Sequence, residues 1–388
     1  MENELMLDEK NIMVMKLLHY FITEKNYNPI VLQGVDNEIW LENLDEDCKV
    51  IRIVSEYIHN DEQYAFDVFK TKKIMSKIKK KTFSFSLNVM SFFLDMGDNV
   101  TELNSDEKIM QVKVKDEKDL SKSEYVKRIF PDLPKKMEYT EDGFELFSKI
   151  TGDIHKHNKE DAKRVEKVFK SKVPYITYLL IAINVIFFVV PQLMVLLGQV
   201  GHIDDILSLY SVHGPSVRDG QIYRILTGTL LHGGIAHLFF NMYSLYVLGS
   251  QLEGFFGKFK FTLIYLFSAI CGSFLSITFG QGVHSVGASG SIFGLMGSLL
   301  YFGFYYRVYL GQVVKSQILP LVIVNLLIGF YAPNIDNWAH IGGLVGGAAM
   351  TMAIGVKDKS STFEKVNGWV IAVAVLAFFA YMGLVVAG

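Results

Sequence analysis

Cysteine is nearly absent from this chain: Cys48 and Cys271 are the only two in 388 residues. They fall in stretches of opposite character, which leaves neither a disulfide framework nor a cysteine metal knuckle to expect. A strong charge bias is missing too, and a formal net charge of −2 offers nucleic acid no electrostatic footprint. The opening, Met1 to Lys10, is acidic, and residues 11–20 are too short and broken for the apolar part of a secretory signal. Asp and Glu are almost lacking from the long apolar runs of the second half. A transporter would be expected to carry intramembrane carboxylates and inverted repeats, so transport is set aside.

Half of the residues are hydrophobic, and they are unevenly placed. Residues 1–172 are rich in Lys, Asp and Glu, whereas residues 173–388 contain long uncharged runs. The expectation is a soluble domain followed by a polytopic membrane domain. Crossing the hydrocarbon takes about 20 apolar residues. Seven segments qualify: 174–199, 229–252, 260–279, 288–306, 316–332, 338–355 and 367–388. Lys and Arg orient them. Seven lie in 156–172, and Lys258, Arg307, Lys315, Lys357, Lys359 and Lys365 follow the second, fourth and sixth spans. The loops 280–287 and 333–337 carry none, and the loop after the first span has only Arg218 and Arg224. The soluble part is thus expected in the cytoplasm, with Gly388 and the site's opening outside.

Within residues 1–117 the pattern suggests a small α/β domain. Helical spacing covers 9–24, strands are expected at 28–32, 38–42, 50–54, 83–90 and 109–114, and a basic amphipathic helix at 61–81. Gly34-Val35-Asp36-Asn37 reads as a hairpin turn. Asp36, Glu38 and Glu42 resemble the acidic strands of metal-dependent nucleases, against the plainer reading of solvated carboxylates at a turn and strand edge. The lysines at 72, 73, 77, 79, 80 and 81 would suit anionic lipid heads or simply a solvated face. Residues 118–172, charged and holding Pro131 and Pro134, are expected to form a linker and a juxtamembrane helix.

The chemistry lies in the membrane part. Ser289, inside Gly287-Ala288-Ser289-Gly290, opens the fourth span, and His340, inside Ala339-His340-Ile341-Gly342-Gly343, lies 51 residues further on, near the start of the sixth. Polar side chains at membrane depth are costly and usually functional. Gly287 and Gly290 clear side chains from around the serine, and a helix N-terminus favours a developing oxyanion. Packing alone could explain Gly290 and Gly294, and His340 alone could be a structural hydrogen-bonder. The second glycine of GxSxG is missing, so a hydrolase elbow does not fit. Gly342/Gly346 and Gly343/Gly347 let the sixth span pack backbone to backbone on the fourth, bringing imidazole to hydroxyl. His237 and Asn241, four residues apart on one face of the second span, supply neutral donors to an oxyanion. All four polar residues enter from the same side and should lie within about 10 Å in depth. No HExxH accompanies the histidines, so no metal is expected, and no cofactor.

On these residues the chain resembles the rhomboid intramembrane serine proteases, in particular the Gram-positive type with a cytoplasmic N-terminal domain and seven spans. The resemblance covers 173–388. It is carried by Tyr223-Arg224, His237-x-x-x-Asn241, Glu253-x-x-x-Gly257, the Ser289 motif and the His340 motif, with Glu38-Ile39-Trp40-Leu41-Glu42 the main likeness upstream. It implies a rhomboid-like helical bundle of 6+1 spans. Ser289 would be the nucleophile, His340 the general base, and His237, Asn241 and the Ser289 N–H the oxyanion hole. Phe293 stands where the family usually has Tyr against the histidine. A dyad without carboxylate is implied, which leaves Asp336 outside it. Substrates would be membrane proteins with helix-destabilised transmembrane segments entering from the bilayer between the second and fifth spans, with 325–338 as gate and cap. A cytoplasmic partner of the N-terminal domain is also implied, as is the absence after Gly388 of a C-terminal repeat domain that many relatives carry. The rival reading is a silent rhomboid-like protein that presents membrane clients to other machinery. It predicts a missing Ser or His.

Overall fold

The computed structural model describes residues 8–32, 37–82, 84, 86–100, 106–170, 172–280, 284–332, 335–357 and 359–387. They form two compact units, Met1–Glu166 and Lys167–Gly388.

The first unit is built on a sheet with the order β1 (Asn28–Ile30), β2 (Glu38–Glu42), β3 (Val50–Val54), β5 (Val89–Phe93) and β7 (Ile109–Lys113). A second, two-stranded sheet pairs β4 (Ile58–Asn60) with β6 (Met96–Asn99). The strands β1 to β3 form an antiparallel meander, whereas β5 and β7 join in parallel. A parallel neighbour needs a crossover, and α2 (Asp61–Thr82) supplies it. Strands β3 and β5 are buried on both faces, as their unbroken Val-Ile-Arg-Ile-Val and Val-Met-Ser-Phe-Phe runs require. One face packs on Ile74, Met75 and Ile78 of α2. The other packs on α1 (Glu9–His19), which continues through Tyr20–Glu24, and on three short helices.

Those helices correct the expected linker. Residues 118–172 contain α3 (Glu117–Lys122), α4 (Glu124–Ile129) and α5 (Leu133–Lys136), and Leu120, Val126, Phe130, Leu133 and Met137 are core residues. Asp116 caps α3 and Ser123 caps α4 through their side chains, so the turns are specified locally. The long α6 (Gly143–Phe169) still buries Leu146 and Ile150, which places the unit's end at Glu166 instead of 117.

The nuclease-like carboxylates also resolve differently. Asp36 and most of its expected turn lie outside the described residues. Glu38 is neither solvated nor open to a metal. Its side chain is fully buried and binds the Arg52 guanidinium, Lys70 and the Trp40 indole N–H. Arg52 bonds also to Asp67 (2.7 Å) and Thr71 (2.8 Å) of α2, and its charge lies over the Trp40 ring. This ionic cluster ties sheet to crossover helix.

In the second unit, helices lie within each of the seven segments expected to span. They are α7 (Tyr175–Leu196), α11 (Ile235–Ser244) running on through Leu245–Gly249 into α12 (Ser250–Phe256), α13 (Lys258–Phe279), α14 (Ser289–Tyr305), α15 (Arg307–Val313) running into α16 (Leu319–Tyr331), α17 (Asn337–Ile354) and α18 (Thr362–Tyr381). Among the described residues, Tyr175–Leu196, Lys258–Phe279, Arg307–Tyr331 and Thr362–Val386 are long and apolar enough to cross a membrane. Three short helices, α8 (Ile203–Tyr210), α9 (Gly214–Arg218) and α10 (Arg224–Thr227), lie between α7 and α11. The second span begins later than 229, because Gly228–Leu230 forms a tight turn and Gly234 is extended.

Glycine decides the core of this unit. Helices α13, α14 and α17 pack centrally, and a Cβ on Gly343 or Gly347 would collide with the carbonyl of Gly290 or Gly294. This is the expected seam between the fourth and sixth spans. Gly342 and Gly346 instead face Cys271 and Gly272 of α13, so α17 is wedged between two helices by two glycine rows. At the other end, the buried Glu253 carboxylate accepts the N–H groups of Ile176 (3.0 Å) and Thr177 (2.8 Å), capping α7 from α12.

Candidate active site

Ser289 is the first residue of α14, so its N–H is one of the helix's orphan donors. The chain reaches it through Gly287, whose φ of +121° only glycine adopts readily. A Cβ there would also lie 2.8 Å from the His237 ring and 3.5 Å from the Asn241 amide nitrogen. His237 and Asn241, one turn apart on α11, therefore border the serine's approach. Asn241 is buried and His237 half-buried.

His340 projects from the first turn of α17 towards Ser289. Its Nε2 lies 2.9 Å from the Ser289 Oγ, which makes a hydrogen bond. The imidazole is stacked on the Phe293 ring at 4.1 Å between centroids and 10° between planes. Asp336 serves α17 as its N-cap, accepting the Ala339 N–H at 3.0 Å. Among the described residues, the His340 Nδ1 and the second Asp336 oxygen both lack a hydrogen-bond partner, so the two side chains are not joined. Trp338 packs on Phe279 of α13 at 4.4 Å between ring centroids. Gly290 carries its neighbour's chemistry differently: a Cβ there would press on the Ala339 carbonyl at 3.3 Å, next to His340.

A cavity of about 20 Å³ lies beside the serine, lined by Gly287, Ser289, Gly290, Ser285, Gly228 and Ala339 among others. That is room for about one water. Among the described residues no three His, Cys, Asp or Glu side chains gather as metal ligands. The arrangement is a hydroxyl bonded to an imidazole, with neutral N–H donors beside it and space for water.

The match to known proteins decides the family. Residues 219–357 match the Rhomboid domain family model. The putative rhomboid protease YdcA of Bacillus subtilis is 34% identical over 177 residues, spanning 45% of this chain and 85% of that protein. The chain belongs to the rhomboid family. It is likewise similar to the rhomboid protease GluP of Bacillus subtilis, at 34% identity over 225 residues, 58% of this chain and 44% of that protein. RHOMBOID-like protein 4 of Arabidopsis thaliana is 37% identical over 154 residues, 39% of each chain. The chain therefore spans less than half the length of these last two relatives. As a rhomboid with several long apolar helices, it is a multi-pass helical membrane protein.

One cluster beside the rhomboid site had no sequence signal. His213 and His284, from segments far apart in the chain, stack face to face at 4.3 Å with only 3° between planes. Neither lies in a motif, and only the fold brings them together.

Proposed function

We propose that this rhomboid is an intramembrane serine endopeptidase acting on transmembrane or juxtamembrane segments of membrane proteins. The observation that carries this reading is the 2.9 Å bond between Ser289 Oγ and His340 Nε2, made across two helices locked by glycine. A hydroxyl is a weak nucleophile until a base takes its proton, and this geometry supplies the base.

In the proposed reaction Ser289 Oγ attacks the scissile carbonyl while His340 Nε2 accepts the hydroxyl proton. The tetrahedral oxyanion is held by the Ser289 N–H, the Asn241 amide and the His237 ring. Collapse breaks the C–N bond, and His340 returns the proton to the departing amine. Water, activated by the same imidazole, then attacks the acyl-enzyme and frees Ser289. In a triad, a carboxylate orients the imidazole. Here Phe293 takes that positioning task through ring contact.

The proposal includes seven spans, a cytoplasmic first unit and a site that opens on the outer side, as the Lys and Arg distribution supports. Substrate would reach Ser289 sideways between the second and fifth spans, where α16 has many exposed apolar residues, among them Leu327, Ile328 and Phe330.

The test pairs a serine-directed fluorophosphonate with a transmembrane substrate bearing small residues near its outer end. Wild type should label and cleave, and Ser289→Ala should do neither. A well-folded wild type that does neither would favour the client-presenting alternative.

A further inference from the structure

The outer segment 208–228 is fastened to the residues that lead into Ser289. Val212 and Ser285 exchange two backbone hydrogen bonds of 2.9 Å, and the Gly287 N–H donates to the Gly228 carbonyl at 3.0 Å. The two stacked imidazoles sit on this junction. His284 Nδ1 pairs with the Ser211 hydroxyl at 2.7 Å, and His213 Nδ1 with the Ser216 hydroxyl at 2.8 Å. Each ring is thus oriented by a serine of the outer segment, and His284 stands only five residues before Ser289.

We propose that His213 and His284 are a positioning pair that clamps the outer segment onto residues 284–287, and that the clamp loosens when both rings are protonated. Flat stacking at 4.3 Å suits rings of which at least one is neutral, since two imidazolium charges at that separation repel. The charged groups acting on His213 besides His284 are Arg224 and Arg218. Both guanidiniums are fixed in place: Arg224 donates to the Ser208 carbonyl at 2.6 Å and the Ser211 carbonyl at 3.2 Å, and Arg218 to the Gly383 carbonyl at 3.2 Å. Burial first, then His284 and the two arginines, hold the His213 ionisation below the ordinary histidine range. His284 is exposed. Histidine is the side chain whose charge ordinarily changes between about pH 5 and about pH 8, and with His213 held below that range the two rings are charged together only at the acid end. Separation of the rings would release residues 284–287 and with them the strained Gly287 that sets Ser289 against His237 and Asn241.

This inference rests on Ser289 being the nucleophile, and the test keeps the two apart. Full-length wild type, His284→Gln and His284→Lys are compared in detergent from about pH 8 to about pH 5. Fluorophosphonate labelling and substrate cleavage are each normalised to the variant's own maximum, and melting midpoints are measured at both ends. Gln keeps a partner for Ser211 and takes no proton. Its acid limb should lie at least about half a pH unit below that of wild type, and it should lose less melting temperature on acidification. Lys carries the charge throughout and should reduce kcat at about pH 8 by about fivefold or more, with KM little changed. Acid limbs that superimpose, or equal acid losses of melting temperature in wild type and His284→Gln, overturn the clamp. A wild type that neither labels nor cleaves removes the protease reading, and the melting comparison alone then decides the clamp.

Discussion

The Phe293 ring lies flat on the His340 imidazole, 4.1 Å away, and the two residues come from the helices α14 and α17 that also deliver the hydroxyl and its base. One aromatic contact therefore holds the His340 imidazole beside the Ser289 hydroxyl. An aromatic pair contributes about 1 kcal/mol beyond burial. Phe293→Ala should lower kcat by about five- to tenfold with a small change in KM, whereas Phe293→Tyr keeps the ring and should stay within about twofold. Steady-state cleavage of one substrate by the three proteins checks this.

Removing the proposed nucleophile should be far more severe. Ser289→Ala should lower turnover by about 10³-fold or more while leaving the melting midpoint in place. The Ser289 side chain makes one hydrogen bond, to His340, so its loss leaves the glycine seam untouched. Residual cleavage at wild-type rate in this variant would end the proposed mechanism.

Asn241→Ala addresses the proposed oxyanion hole. Losing one preorganised donor typically costs 10²- to about 10³-fold in kcat. The variant should still react with the fluorophosphonate, more slowly, because the Ser289–His340 bond does not involve Asn241. Equal loss of labelling and folding would show that Asn241 is structural.

The glycine seam predicts a stability effect at a distance from solvent. A methyl at Gly343 meets the Gly290 backbone, which cannot move aside as a side chain could. Gly343→Ala should therefore destabilise by about 1–3 kcal/mol or more and separate Ser289 from His340. Gly254→Ala is the control, because a Cβ there meets nothing within 4 Å. Its melting midpoint should match wild type.

The first unit has its own pH signature. Burial alone would raise the Glu38 carboxyl, but Arg52 and Lys70 outweigh it and hold it below the ordinary glutamate range. The folded-state pKa is depressed, so this stabilisation is present above the unfolded value of about 4.3 and fades as pH falls through the folded value. Arg52→Ala, which strands buried carboxylates, should cost about 3–5 kcal/mol. Trp40 fluorescence during chemical unfolding reads both effects, since its indole contacts Glu38 and Arg52.

How far the sequence could be read depended on what each residue faces. The residues around Ser289 were legible because polar groups in apolar runs stand out, and because four-residue glycine spacing marks a helix contact. That spacing did not say which helix each glycine row meets, and Gly342 and Gly346 turned to α13. Residues 117–136 misled because their helices are short, their outer faces are charged, and only single apolar residues such as Leu120, Val126 and Leu133 point inward. The strands Ile58–Asn60 and Met96–Asn99 are too short to show alternation. Glu38 looked like a surface carboxylate because its partner Arg52 lies on the neighbouring strand and Lys70 on the helix beyond.

Ser289 and His340 are 51 residues apart, on α14 and α17. Neither helix alone holds both groups: α14 carries the hydroxyl and α17 the imidazole. A chain without α17 holds the Ser289 hydroxyl with no His340 imidazole beside it. Completion of the seam between Gly290 and Gly343 and assembly of the proposed dyad are then one event, so the finished fold itself would license the proposed chemistry.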